Sequence, residues 1–403
     1  MKIPALSFFS GIGGLERGLS RYIDVQSFCD IDPYCQGVLS QNYPDIPIHD
    51  DIRTFPKTQF SPETINMIIA GTPLTDKSSK RNRYNLMCEL LDLVEYYKPR
   101  FVYLENMANC VAKGLGELVH KFQDLHYDTR WVTVQASDTG ALHRRNRLFL
   151  LAGHHDWSNN FNQTSQDNPQ PIIKKTLTSH LIWDTEPDVP RTITEVETSD
   201  KSRIYCLGNA VIPRHALVAF HLLLQCDGTQ ISPSSSIPPS HPSYLETATS
   251  VLTTIWNNSI ENYLSTIYCE TRLPSTGAYS RGRFYKLSSE YHQKFIGLYR
   301  ISRYPPTIQR FNPTDTLPSP TLTDHYIRPP KNSRGCCPGK NKSMSLNNYL
   351  DIFPTRQEPM PLLNQEGYLD RPIVGKIPHP RWTEWLMGFP DNWTYLESVE
   401  NTH

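Results

Sequence analysis

Over the first 150 residues, short apolar runs alternate with longer stretches in which apolar side chains recur every three or four positions. Short runs bounded by turn residues suit strands buried on both faces, and periodic stretches suit helices laid across them. Strands are expected at residues 3–9, 25–30, 67–70, 101–105 and 148–152, and helices at 86–97 and, with weaker spacing, 119–125. Strands alternating with helices predict an α/β unit with a parallel sheet covered by helices.

The pattern then changes. Residues 156–196 are polar and rich in Asn, Gln, Thr and Pro, which reads as a loop-rich connection, and a further helix is expected at 213–225. Residues 228–243 carry a Ser/Pro run, Ser232 to Ser243, with the composition of a flexible linker. Beyond it, aromatic, Arg and Pro residues mix with little periodicity, which predicts a smaller, irregular α/β or mostly β module. The expected division is a first unit over 1–227, a linker over 228–243 and a second unit from 244.

Charge narrows the partners. Lys and Arg together number 40, as do Asp and Glu, so the formal net charge is zero and a polyanion would have to meet a local patch. The nine cysteines lack the spacing of a disulfide framework or of paired C-x-x-C motifs, and reduced thiols in a cytoplasmic protein are expected. Cys336 and Cys337 are adjacent rather than spaced as zinc ligands, so no metal is expected. The N-terminal apolar run enters a glycine turn without a cleavage-site pattern, and no run approaches the roughly 20 apolar residues of a membrane span. A soluble protein is expected.

Candidate chemistry begins at that turn. Phe8-Phe9-Ser10-Gly11-Ile12-Gly13-Gly14-Leu15-Glu16 follows a strand and opens a helix, so its glycines permit tight turning and close approach of backbone amides to a ligand. Asp30, in Cys29-Asp30-Ile31-Asp32-Pro33, ends the next strand, where a carboxylate can accept hydrogen bonds from ribose hydroxyls. His49-Asp50-Asp51-Ile52 brings further carboxylates to the same sheet edge.

These three pieces, in this order and spacing, resemble the opening motifs of the C5-cytosine DNA methyltransferases, and Gly208-Asn209-Ala210-Val211-Ile212-Pro213 resembles the family's Gly-Asn element. The resemblance implies a Rossmann-like catalytic domain, its sheet mixed and mostly parallel, that binds S-adenosyl-L-methionine. Its implied cofactor residues are Phe9, Gly11, Gly13, Gly14, Asp30, Asp51, Ile52, Pro73, Leu86, Asn209 and Ala210.

It also implies a chemical site with a departure at its centre. The family adds a cysteine thiolate to C6 of cytosine to activate C5, and that cysteine follows a proline after the fourth strand. Here the step is Pro73-Leu74. Glu105, in Leu104-Glu105-Asn106, resembles the glutamate that contacts N3 and the exocyclic amine of the flipped base. Arg145 and Arg147, in His143-Arg144-Arg145-Asn146-Arg147, resemble the family's Gln-x-Arg-x-Arg motif, which organises the catalytic loop and the nearby phosphates, with His143 for Gln. The basic run Asp76 to Arg83 is short for the loop that closes over DNA; Ser78, Lys80 and Arg81 are its expected DNA contacts. Cys110, five residues after Glu105, is a weaker alternative nucleophile, as in RNA-directed relatives.

Late in the chain, interleaved basic and aromatic residues, Arg281 and Arg283 among them, suit a target-recognition domain over 244–380, facing a DNA groove or packing between domains. Gly388-Phe389-Pro390-Asp391 resembles the family's closing segment, and 381–403 is expected to pack back on the first unit. The Gly-Asn element precedes this region, whereas it commonly comes last. Two functions remain open: a methyltransferase of double-stranded DNA silenced at Leu74, or a non-catalytic DNA- and cofactor-binding subunit. A restriction endonuclease or defence-system subunits are the further expected partners.

Overall fold

The computed structural model describes residues 2–71, 80–112, 114–155, 182–224, 264–267, 275–280, 283–287 and 377–396. In chain order the main elements of the first unit are β1 (Ile3–Phe8), α1 (Gly14–Leu19), β2 (Ile23–Cys29), α2 (Pro33–Asn42), β3 (Ile48–His49), β4 (Met67–Gly71), α3 (Lys80–Tyr97), β5 (Phe101–Met107), α4 (Leu115–Asp124), β6 (Tyr127–Gln135) and β7 (Asn146–His154). They are followed by β8 (Thr192–Ile193), α5 (Thr198–Asn209), α6 (Pro213–Leu224), β9 (Leu264–Ile267), β10 (Thr276–Ser280), β11 (Arg283–Leu287), β12 (Ile377–Pro378) and α7 (Pro380–Leu386).

One ten-stranded sheet runs β3-β2-β1-β4-β5-β7-β6-β10-β11-β9. β3, β2, β1, β4 and β5 are parallel neighbours, and β7 is antiparallel to both β5 and β6. The expected mixed, mostly parallel α/β sheet is therefore present. β6 was not expected, because Arg130 and the threonines of Tyr127–Gln135 interrupt an apolar run; in the fold Arg130 is buried and donates to Leu223 O at 3.0 Å. β10 pairs with β6, so strands from beyond residue 244 continue the first unit's sheet.

The strands alternate sides as their pleat requires. Phe101, Tyr103, Phe149 and Leu151 join one core cluster, covered by α1 and α6. Val102, Leu104, Leu148 and Leu150 join another, covered by α3 and α4. Burial on both faces is why these strands read as continuous apolar runs. The stretch Thr198–Leu224 is apolar enough to cross a membrane, but 83% of its most apolar window is buried inside the protein, as in a core helix.

α1 lies hard against the entry to α6. A Cβ on Gly14 would fall 2.0 Å from Val211 O, and one on Gly18 would fall 2.3 Å from Pro213 O. Glycine at these two positions is what lets the helices meet. The C-terminal segment packs on the same end: Trp393 Nε1 donates to Ile12 O at 2.8 Å, Tyr34 Oη donates to Thr394 O at 2.9 Å, and Arg17 stacks over the Trp393 ring at 4.7 Å.

Candidate cofactor and base site

The strand order reverses direction between β1 and β4, and the carboxyl ends of strands at such a switch point open a crevice. The glycine turn stands there. Phe9, Gly11 and Gly13 have φ of 51°, 55° and 80°, the left-handed region that permits the chain to double back between β1 and α1. Gly11 N donates to Asp30 Oδ2 at 2.6 Å, and Asp32 N donates to Asp30 Oδ1 at 3.0 Å. The turn and the end of β2 are thus one hydrogen-bonded unit. Each Asp30 oxygen keeps acceptor capacity beyond its one backbone donor, and burial raises the carboxyl above its usual range. A Cβ on Gly11 would meet nothing within 4 Å, so the space over the turn is open. Open space, a glycine turn and a carboxylate at the next strand end fit a nucleoside-bearing cofactor.

The turn rests on a buried polar chain to which the sequence reading gave no role. The Ser7 hydroxyl donates to the Glu16 carboxylate, Ser7 Oγ and Ser10 Oγ are 2.7 Å apart, and Ser10 Oγ donates to Cys29 O at 3.3 Å. Glu16 Oε2 is buried without a hydrogen-bond partner, and burial pushes this carboxyl up to about 7. The signal was in view, since Glu16 ends the quoted glycine motif. An acid there reads as the first turn of a helix facing solvent, whereas the fold buries it against Ser7 of β1.

Asp51 caps the short 3-10 turn Ile52–Thr54 and holds Arg53 through both oxygens, with Arg53 Nε at 2.9 Å from each. That guanidinium holds the Asp51 carboxyl below its usual range. Ile52 is buried, Leu86 packs at the edge of the core, Asn209 is exposed and Ala210 is buried.

On the other side of the switch, Gly71 at the end of β4 pairs in register with Glu105 on β5. Glu105 is 8% exposed, and Arg147 Nε lies 2.9 Å from its Oε1. Burial raises the Glu105 carboxyl and the Arg147 and Arg145 charges oppose that rise; the net direction is upward. The next residue serves the backbone, for Asn106 Oδ1 accepts from Met107 N at 2.7 Å and from the Cys110 thiol at 2.7 Å.

The two arginines of the expected pair divide their work. Arg145, 5% exposed, turns inward, where Nη2 donates to Gly208 O at 2.9 Å and Ala210 O at 2.7 Å. It holds main-chain carbonyls and so pins the Gly-Asn element beside the crevice. His143 is buried and held neutral, its ring pushed down to about 3 by burial.

Several expected residues stand elsewhere. Pro73, Leu74, Ser78 and Arg281 lie outside the described residues, as does most of 244–380. Lys80 and Arg81 open α3, so the basic run expected as a loop through Arg83 is helical from Lys80 onward. Arg283 begins β11. Cys110 is 2% exposed in the short 3-10 helix Ala108–Ala112, a packed position unlike that of an accessible nucleophile.

The chain is similar to proteins of one kind. Type II methyltransferase M.CviJI of Paramecium bursaria Chlorella virus IL3A is 27% identical over 273 residues, which are 64% of this chain and 71% of that protein. Type II methyltransferase M2.BsuMI of Bacillus subtilis strain 168 is 31% identical over 166 residues, 37% of this chain and 42% of the relative. The chain therefore spans under half the length of that bacterial relative. Among solved structures, a Spodoptera frugiperda DNMT2 mutant matches with a TM-score of 0.35 at 13% identity over 64% of this chain and 98% of the other. The model of the family described as C-5 cytosine-specific DNA methylase matches residues 3–216, more than half of the chain. By that match the chain belongs to the C-5 cytosine-specific DNA methylases, a family of S-adenosylmethionine-dependent enzymes.

Proposed function

We propose that this chain is a DNA (cytosine-5)-methyltransferase that takes a target cytosine from double-stranded DNA into the mouth of the crevice and is silent in turnover because Leu74 stands at the nucleophile's position. The observation that carries the reading is the register of β4 and β5. It sets Glu105 directly beside Gly71, three residues before Leu74, with the glycine turn across the switch point.

C5 of cytosine is a poor nucleophile until a thiolate adds at C6, and a leucine side chain has no electron pair to add. Glu105 supplies the complementary function. Its raised carboxyl can hold a proton toward ring N3 while the second oxygen accepts from the exocyclic amine, and Arg147 fixes its orientation. The Gly11 and Gly13 turn, Asp30 and Asn209 would hold the cofactor, and Arg145 keeps the Gly-Asn element in place. When bound, S-adenosylmethionine supplies an electrophilic methyl group. DNA contacts are assigned to Ser78, Lys80, Arg81, Arg281 and Arg283, four of them basic, on a chain of zero net charge. Relatives named as Type II methyltransferases support a cognate restriction endonuclease as partner and a cytoplasmic place of work.

The test is transfer of a labelled methyl group to DNA lacking cytosine methylation, with the Leu74→Cys variant beside the unaltered chain. Labelling by the variant alone is expected. If neither chain labels DNA although both bind the cofactor, the reading fails.

A further inference from the structure

Away from the base site, a second cluster of chemistry-bearing side chains joins α2 to α5. Asp32 is the N-cap of α2, and its Oδ1 accepts from Tyr34 N at 2.8 Å and from Cys35 N at 3.2 Å. Cys35, in the first turn, donates its thiol to Cys206 Sγ of α5 at 3.4 Å. Both cysteines are buried, at 7% and 3% exposed, and their sulfurs lie within 4.8 Å of each other and of an Asp32 carboxylate oxygen.

From the placement of these donors we propose that Asp32, Cys35 and Cys206 form a binding site for a thiophilic divalent cation of the zinc class. Cys35 and Cys206 are 171 residues apart, which is why ligand spacing along the chain gave no sign of it and no metal was expected.

Geometry distinguishes this from a disulfide in waiting. Two sulfurs on a tetrahedral zinc at about 2.3 Å each stand roughly 3.8 Å apart, whereas a disulfide needs about 2.05 Å. The observed 3.4 Å must open by about 0.4 Å for the metal but close by about 1.4 Å for the bond. Charge agrees. A dication with two thiolates and one carboxylate is a monoanion, and it would sit at the N-terminus of the ten-residue α2, whose dipole favours negative charge. The remaining coordination position would go to water on the partly exposed Asp32 side, beside Tyr205, which is 38% exposed.

Binding releases two protons, one from each thiol, as two metal–sulfur bonds form. Both thiols must lose their protons to bind, so affinity should rise with pH. The bound ion would tie the acid end of β2, two residues before Asp32, to the helix that ends at Asn209. The two flanks of the crevice would then be clipped together.

The experiment is titration of the full chain with Co²⁺ under a non-thiol reductant, following thiolate-to-cobalt charge-transfer absorption and the visible bands of a tetrahedral ion. One equivalent is expected to bind, with Zn²⁺ displacing it. Cys336→Ser with Cys337→Ser should leave the bands intact. Cys35→Ser and Cys206→Ser should each abolish the charge-transfer signal of a dithiolate, and Asp32→Asn should weaken binding without removing it. X-ray absorption at the zinc edge of the unaltered chain needs no variant to fold, and should report two sulfur and two lighter ligands. Absence of charge-transfer bands in the unaltered chain, their persistence in either serine variant, or a zinc shell with any other sulfur count would overturn the proposal.

Discussion

Glu105 and Arg147 meet at 2.9 Å across antiparallel neighbours, with their side chains only 10% and 18% exposed. A carboxylate in that position is costly without its cation, and the cost depends on pH. For an acid whose folded value is raised, burial costs nothing while the group is protonated in both states. Stability is lost as pH rises toward and through the folded value.

Removing the cation should steepen that loss. Arg147→Met is expected to cost roughly 3 kcal/mol at pH 8, the low end of the range for breaking a buried pair, and less at pH 5, because losing the cation pushes the already raised Glu105 carboxyl further upward. Urea denaturation at the two pH values measures this. An equal loss at both would mean that the arginine acts through packing alone.

Glu16 gives the same sign without a cation. Its carboxyl is pushed up to about 7 by burial, from an ordinary 4.5. Between those values the unfolded chain ionises while the folded protein keeps the proton, and above about pH 7 the accumulated cost levels off at about 3.5 kcal/mol, from about 1.4 kcal/mol per pH unit. Glu16→Gln keeps the shape without the charge. The variant should therefore match the unaltered chain near pH 5 and exceed it in stability at pH 8, a difference that chemical denaturation resolves. A variant less stable at pH 8 would show that the ionised carboxylate is stabilised by its surroundings.

How much of this was legible in the chain follows from which contacts are local. The glycine turn, Asp30 and Glu105 lie at strand ends whose apolar runs and turn residues are readable within a few positions. β6 was missed because Arg130 spends its charge on Leu223 O, a partner 93 residues away. The hold of Arg145 on the Gly-Asn element was not legible because its partners, Gly208 and Ala210, are more than 60 residues off. Cys206 and Glu384 share that character: each is made chemically meaningful by an element from a distant part of the chain. Local pattern places such residues on surfaces.

The glycine turn offers a comparison of two alanines. At Gly11 a Cβ meets open space, and the penalty is the φ of +55° alone, about 1 kcal/mol of folding stability. At Gly14 the Cβ would lie 2.0 Å from Val211 O, which is backbone and cannot rotate away, so α1 and the 208–213 segment must separate. Gly14→Ala should be the more destabilising by a wide margin in thermal melts. Similar losses at both positions would show that the 208–213 segment yields easily.

Glu384 of α7 is the densest polar junction outside the crevice. Its Oε1 accepts from Arg203 Nη2 at 3.0 Å and from Thr394 N at 2.8 Å, its Oε2 accepts from Asn392 N at 2.9 Å, and the residue is fully buried. Arg203, on α5, also donates through Nε to Thr394 Oγ1 at 3.1 Å. Removing one partner strands the other, so Glu384→Ala should cost roughly 3–5 kcal/mol, the range for an uncompensated buried charge. Replacing both Glu384 and Arg203 by Met removes the two charges together, at similar volume, and should recover a substantial part of that loss. A double-mutant cycle by urea denaturation decides the matter. Additive losses would mean that the two side chains stabilise the C-terminal segment independently, whereas strong coupling would make this ion pair the fastening between α7 and α5.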